Sequence, residues 1–238
     1  MKRILLYLLP LLLLAGCAKD FSEDINSIGD KMTELWTHGQ GGSDDPIVFL
    51  QEVDYSAFVS LPTLYDRFSA CSAPESLIND KTTRALGLSI LHYPLNSLIL
   101  AYNYYDSAVK TVYDNSPLHR ALAARKDAAE ALVGIFENTR IDKGAVLVAK
   151  DYEEITLVDE LFLEYYLGSG LVKGLDKGSN KERMKAAVTK KRDERLADPE
   201  LNGALTLIPL AYLSERLGLG VQFSTDIVNT MHQFIEDN

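Results

Sequence analysis

Glu160 and Glu164 are a pair of acidic side chains whose type and spacing could do chemistry. They lie four residues apart in segment 152–167, whose apolar residues recur at helical intervals, so both carboxylates share one helix face. Two carboxylates whose environments separate their pKa values can act as general acid and general base. Their face is opposite the apolar face of the same helix, however, and this predicts a solvated surface more strongly than a catalytic pair.

Histidine and glycine patterns predict no metal, nucleotide or nucleophile site. The chain has four histidines, His38, His92, His119 and His232. None has another histidine at a spacing of three or four, and none forms an HExxH pattern. His92 lies in an apolar segment, where we expect a core histidine with satisfied hydrogen bonds. The glycine-rich stretch 168–179 lacks the order of a phosphate-binding loop, because Lys177 precedes Gly178 and the chain before it is helical. We therefore assign no catalytic residue, no metal ligand and no cofactor.

Residues 173–195 carry an excess of positive charge in an acidic protein. They contain nine basic and four acidic residues, whereas 142–164 contain seven acids and two lysines. Such a segment could dock on anionic lipid headgroups or an acidic partner. It could also fold against the acidic segment through surface salt bridges, which contribute little to stability. Seven of its residues form the predicted partner-binding set: Lys181, Arg183, Lys185, Lys190, Lys191, Arg192 and Arg195.

A second candidate contact region is rich in tyrosine. The chain has 12 tyrosines against one tryptophan, and several of them fall between positions 93 and 113. At helical spacing such residues usually line a core, but tyrosine is also enriched at binding surfaces. The sequence therefore predicts either core packing or an interaction groove that includes Tyr93, Tyr102 and Tyr105.

Helical periodicity dominates the segments that must position these residues. About eight helices with short connections are predicted, including a helix over 117–136 and a charged one over 180–196, while the one strand-like run, 143–152, is isolated. Segment 86–100 is nearly all apolar, and Pro94 predicts a break in this buried helix. The predicted fold class is all-α, either an antiparallel helical bundle or a tetratricopeptide-like solenoid. No consistent repeat of about 34 residues favours the solenoid.

The N-terminal twenty residues have a different character. A positively charged start precedes an apolar run over 4–14, and the tetrapeptide Leu14, Ala15, Gly16 and Cys17 follows at once. The run is too short to span a bilayer, which takes roughly 20 apolar residues. It has the layout of a secretory signal peptide. The tetrapeptide resembles the lipobox of bacterial lipoproteins.

This resemblance implies cleavage before Cys17 and attachment of acyl chains, such as palmitate, to that cysteine. Two or more chains hold a protein on a membrane that one chain binds only marginally. Ala18, in place of an aspartate at the position after the cysteine, favours the outer membrane, and either a periplasmic or a surface-facing domain is consistent with it. Removal of residues 1–16 takes the formal charge from −10 to −12. A protein this acidic is a poor nucleic-acid binder.

The predicted organisation has three parts. Residues 1–16 are the removed signal peptide, and 17–45 hold the lipidated Cys17, an amphipathic helix over 21–36 and a flexible loop. Residues 46–238 form a single helical domain.

The predicted function is that of a lipid-anchored, non-enzymatic scaffold or accessory subunit of a cell-envelope transport, secretion or assembly machine. Its partners would be the membrane and another envelope protein. One alternative is a small-ligand or glycan-binding protein that uses the tyrosine-rich groove, and a further one is an enzyme whose site assembles only in the fold. Cys71 would be the one remaining thiol, either buried and inert or paired with another chain.

Overall fold

The computed structural model describes residues 41–49, 58, 60–142 and 154–235. Within these ranges it contains ten α-helices and one 3₁₀ helix with assigned bounds, and two strands of two residues. The all-α prediction is confirmed, with more helices than the eight predicted. In chain order the elements are α1 (Leu64–Ala70), α2 (Glu75–Asp80), α3 (Thr83–Leu91), the 3₁₀ helix (Pro94–Leu100), α4 (Tyr105–Asn115), α5 (Pro117–Ala124), α6 (Ala128–Asn138), β1 (Arg140–Ile141), β2 (Glu154–Ile155), α7 (Leu157–Gly168), α8 (Gly178–Ala197), α9 (Ala204–Arg216) and α10 (Thr225–Gln233).

Five of the ten described α-helices directly follow a Ser or Thr residue whose side chain satisfies a free N–H group of the first turn. At α5 the Ser116 side chain accepts from the backbone N–H of His119, and Pro117 occupies the first turn. Thr156 does the same for α7, where its Oγ1 lies 3.1 Å from the backbone nitrogen of Asp159. Both starts therefore follow from local sequence alone.

One proline and one tertiary contact coincide with two of the helix breaks. The predicted break in 86–100 is confirmed, because α3 ends at Leu91 and the 3₁₀ helix begins at Pro94. The continuous helix predicted over 117–136 is wrong, since α5 ends at Ala124 and α6 starts at Ala128. A turn between them is held by Arg125, whose Nη2 lies 3.3 Å from the carbonyl oxygen of Lys81.

Helix α7 lies at the centre of the described helices. Every residue from Asp159 to Gly168 is buried, and α7 contacts α3, α4, the 3₁₀ helix and α9. In a solenoid each repeat contacts only its sequence neighbours, whereas α3 precedes α7 by more than 60 residues. The packing is therefore that of a bundle around a buried helix, and one hydrophobic cluster extends from Ile47 to Met231.

Gly168, the last residue of α7, permits the close approach of α9. A Cβ at this position would overlap the ring of Tyr212. The absence of a side chain thus lets Tyr212 pack directly on the α7 backbone.

The two short strands pair in parallel, with Arg140 opposite Glu154 and Ile141 opposite Ile155. The strand-like run predicted over 143–152 lies outside the described residues, as do the amphipathic helix predicted over 21–36 and the lipobox.

The end of the predicted flexible loop is hydrogen-bonded to the helices. Lys81 Nζ donates to the carbonyl oxygens of Gly41 and Gly42, at 2.9 and 2.7 Å. The Thr82 backbone nitrogen donates to the Ser43 carbonyl at 2.9 Å. In the part of the chain that the structure describes, no helix combines the length and apolar character that crossing a membrane requires.

Candidate functional site

Four charged side chains form a buried cluster between α7 and α8. Glu160 and Glu164 are 0% exposed, and the residues Lys191 and Arg195, whose side chains face them, are 6% and 3% exposed. Arg195 binds Glu164 through two bonds, Nη2 to Oε1 at 2.6 Å and Nη1 to Oε2 at 3.0 Å. Glu160 Oε1 lies 2.8 Å from Lys191 Nζ and 3.3 Å from Arg195 Nη2. Two acidic and two basic side chains are therefore paired inside the protein.

Both cations of the cluster also bind backbone carbonyls of other helices. Lys191 Nζ donates to the carbonyl oxygen of Thr139, the residue that follows α6, at 2.5 Å. It also lies 4.8 Å from the centroid of the Phe136 ring. Arg195 Nη1 donates to the carbonyl oxygen of Thr206 in the first turn of α9, at 2.5 Å. The cluster thus joins α6, α7, α8 and α9.

The prediction that Glu160 and Glu164 lie on a solvated face is wrong. The face of α7 opposite its apolar residues has no solvent side, because α8 covers it with Lys191 and Arg195. For the same reason these two cations must be removed from the predicted partner-binding set. The sequence did hold a signal for this pairing: both pairs have a spacing of four, so each presents its charges along one helix face.

Burial is the main influence on the pKa values of Glu164 and Asp159. It raises the pKa of Glu164 to about 7, against the opposing effect of the Arg195 guanidinium. Burial also raises the pKa of Asp159 to about 6, although Asp159 accepts hydrogen bonds from Thr156 Oγ1 at 2.6 Å and Asn96 Nδ2 at 2.9 Å. Sequence reasoning gave Asp159 no role.

His119 occupies an aromatic enclosure, and sequence reasoning missed it. Its Nδ1 lies 2.8 Å from Ser116 Oγ, and the rings of Tyr93, Phe162 and Tyr166 lie edge-on at centroid distances of 4.9, 5.7 and 5.5 Å. Burial lowers the pKa of His119 to about 3, so the imidazole is neutral at physiological pH. No group of three or more His, Cys, Asp or Glu side chains among the described residues could hold a metal ion.

His92, the histidine expected in the core, is half-buried at the C-terminal end of α3. Burial lowers its pKa to about 4. His92 is therefore only partly buried, whereas the sequence predicts a core position.

The exposed and half-buried sides of α8 hold the other five residues of the partner-binding set, and three of these form ion pairs. Arg183 Nε lies 2.9 Å from Glu137 Oε1. Lys190 is 3.9 Å from Glu194, and Arg192 is 2.7 Å from Asp193. Lys181 and Lys185 have no carboxylate partner among the described residues. That this face binds a partner stays a prediction.

The tyrosine-rich region is divided between core and surface. Tyr93 is 1% exposed and packs edge-on against Phe49 at a centroid distance of 5.2 Å, so it cannot line an open groove. Tyr102 and Tyr105 are half-buried, and Tyr105 stacks on Tyr165 at 4.2 Å. The two best-formed clefts in the described part of the chain, of about 460 and 250 Å³, have no tyrosine in their walls.

Comparison with known proteins places the N-terminus in a recognised class. Residues 1–18 match the prokaryotic membrane lipoprotein lipid attachment site. The chain is therefore a bacterial lipoprotein by its N-terminal sequence, anchored to a membrane of the cell envelope. No curated protein and no solved structure matches the chain.

Proposed function

We propose that this lipoprotein is a non-enzymatic scaffold or accessory subunit of a transport, secretion or assembly machine of the cell envelope. The lipid attachment site supports a tether at Cys17, since acyl chains on one cysteine hold the domain at a membrane surface. Ala18 supports the outer membrane as the location. The partner in this proposal is another envelope protein.

The observation that carries the proposal is an exposed aromatic surface where the tyrosine-rich region meets the end of α10. Tyr104 is 41% exposed and Phe234 is 37% exposed. The backbone nitrogen of Tyr105 lies 3.4 Å from the carbonyl oxygen of Phe234, which brings the two segments together. Exposed Tyr and Phe side chains are typical anchors of protein interfaces, because they give large contact areas at low cost in conformational entropy. We define Tyr104 and Phe234 as the aromatic surface.

Site-specific photo-crosslinking in cells tests this proposal. A photoreactive amino acid replaces Tyr104 in the full-length lipoprotein, and the matched control carries it at Tyr65, which is 76% exposed on α1. We expect a discrete adduct with one envelope protein from position 104 and none from position 65. The adduct should weaken strongly in the Cys17→Ala background, because loss of the tether removes the high local concentration at the membrane.

Two results would contradict the proposal. One is the absence of any protein adduct from position 104 while the lipoprotein remains membrane-bound. The other is turnover of a substrate, or saturable binding of a sugar, by the purified protein that Tyr104→Ala abolishes, which would favour catalysis or ligand binding at the same surface.

A further inference from the structure

Within the described residues, some of the basic side chains in segment 173–195 have no carboxylate partner. Lys191 and Arg195 form ion pairs with the buried glutamates. Arg183, Lys190 and Arg192 bind neighbouring carboxylates. The remaining four basic residues have no carboxylate partner among the described residues. They are Lys173, Lys177, Lys181 and Lys185.

These four residues, which we call the lysine row, follow one another at intervals of four. Lys173 and Lys177 lie in the turn before α8, and Lys181 and Lys185 lie on its first half. A spacing of four places Lys181 and Lys185 along one side of α8, and Lys173 and Lys177 precede them in the turn that leads into the helix. Lys173, Lys177 and Lys185 are exposed, while Lys181 is half-buried beside Gly218 at the end of α9.

Few negative charges offset the row. Asp176 and Glu182 are the acids within 173–185. The first turn of α8 contains no acidic residue, and the helix N-terminus adds partial positive charge. The row is thus a locally basic segment on a mature chain of formal charge −12, which makes it complementary to an anionic surface.

We propose that the lysine row docks on the anionic phospholipid headgroups of the membrane that holds Cys17, so that the start of α8 lies against the bilayer. The row consists of lysines only, and its neighbours Gly174, Gly178 and Ser179 are small, which suits point contacts with many phosphates. Protein interfaces instead enrich arginine and aromatic anchors and are depleted in lysine. The proposal rests on the lipid attachment site and is independent of the scaffold role.

Lysine footprinting of the lipidated protein on vesicles tests the proposal. The acylated protein is reconstituted in vesicles of phosphatidylcholine alone, or of phosphatidylcholine mixed with phosphatidylglycerol. An amine-reactive reagent is then applied, and modification is located by mass spectrometry.

We expect slower labelling of Lys173, Lys177 and Lys185 on the anionic vesicles only. Lys126, exposed in the turn between α5 and α6, serves as the internal reference and should not change. High salt should abolish the difference, because it screens exposed charges.

A double variant and its matched control separate docking from general charge effects. K177Q/K185Q removes two exposed lysines, and K110Q/K190Q removes the same charge from α4 and the second half of α8 while it keeps Lys126 as the reference. Each lysine near an anionic bilayer is worth roughly fivefold in the ratio of docked to undocked protein. K177Q/K185Q should therefore lower the ratio of docked to undocked protein by about 25-fold and abolish the protection of Lys173. The control variant should keep both the ratio and the protection.

Three results would overturn the proposal. Equal labelling on neutral and anionic vesicles would show that the row does not face lipid. Protection by inorganic phosphate added to neutral vesicles, as strong as that by anionic lipid, would assign the row to a soluble anion. Protection in native envelopes but not on anionic vesicles would assign it to an acidic partner. None of these results depends on whether Tyr104 cross-links to a protein.

Discussion

Arg195 and Glu164 form a two-bond ion pair inside the protein, with Arg195 Nη2 2.6 Å from Glu164 Oε1 and Nη1 3.0 Å from Oε2. The guanidinium also reaches Glu160 and the carbonyl oxygen of Thr206. One side chain of α8 thereby satisfies acceptors on both α7 and α9. Removal of either partner leaves a buried charge without compensation, which is costlier than the pair itself is stabilising.

Replacement of Arg195 by methionine should therefore lower the free energy of unfolding by about 3–5 kcal/mol. The measurement is urea denaturation of the mature chain carrying Cys17→Ala, followed by circular dichroism. K190M, on the exposed side of the same helix, should change stability by less than about 1 kcal/mol, because its pair with Glu194 is solvent-exposed. A double variant, E164L/R195M, should recover part of the loss. Equal effects of R195M and K190M would show that the buried pair is not needed for stability.

The pH dependence of stability should carry the signature of Glu164. Burial raises its folded-state pKa from 4.5 to about 7, so the folded protein binds more protons than the unfolded one between these values. The contribution of Glu164 is therefore fully present below about pH 4.5 and is lost as the pH rises through 7. E164Q cannot titrate, so its unfolding free energy should fall less than that of the wild type between pH 5 and 7. Parallel curves for the two proteins would refute this assignment.

His119 should make stability depend on pH in the opposite direction to Glu164. Its folded-state pKa is lowered from 6.5 to about 3, so its contribution is present above pH 6.5 and is lost as the pH falls toward 3. In nuclear magnetic resonance spectra, the ring signals of His119 should show no protonation shift between pH 7.5 and 4.5, as expected for an imidazole enclosed by Tyr93, Phe162 and Tyr166. A shift with a midpoint near 6.5 would mean that water reaches the ring.

The starts and breaks of helices were predictable from sequence, but the burial of the polar face of α7 was not. The break at Pro94 and the start at Ser116 and Pro117 depend on a few adjacent residues, so periodicity and capping rules find them. The burial of Glu160 depends on Lys191, 31 residues later, which neutralises it. Helical periodicity identifies the apolar and polar faces of a single helix. It does not predict whether the polar face will lie in water or pack against an oppositely charged face of another helix.

The candidate contact residues show the same limit. Tyr93 and Tyr105 both lie in the tyrosine-rich region, yet Tyr93 is internal because the ring of Phe49, 44 residues earlier, covers it. Phe234 joins the aromatic surface through a backbone contact with Tyr105 across 129 residues. Such contacts are set by the packing of whole helices. The lipid attachment site was predictable in full because it is a linear pattern of adjacent residues.

The contact between α7 and α9 should tolerate no side chain at Gly168. A Cβ there would overlap the Tyr212 ring, which is itself buried. Gly168→Ala should therefore lower the free energy of unfolding by about 1–3 kcal/mol, the usual cost of an overfilled core.

Gly134→Ala in α6 is the matched control, since the nearest neighbour of its Cβ would be Arg183 Nη2 at 3.6 Å, an ordinary contact. That variant should gain about 0.5–1 kcal/mol from the higher helix propensity of alanine. Thermal unfolding of the two variants beside the wild type checks the difference in sign, and destabilisation by both would disprove the specific contact.

Cys71 should be inert in the folded protein. It is a free thiol, 1% exposed at the end of α1, and burial raises its pKa well above the usual range. Both effects suppress the thiolate, which is the reactive form. In the mature Cys17→Ala chain, where Cys71 is the only cysteine, a chromogenic thiol reagent should react with less than one thiol per chain until urea unfolds the protein, and with one thiol afterwards. The rate of reaction should follow the unfolding transition seen by circular dichroism. Rapid reaction without denaturant, or a disulfide-linked dimer on non-reducing gels, would show instead that the thiol reaches the surface and can pair with another chain.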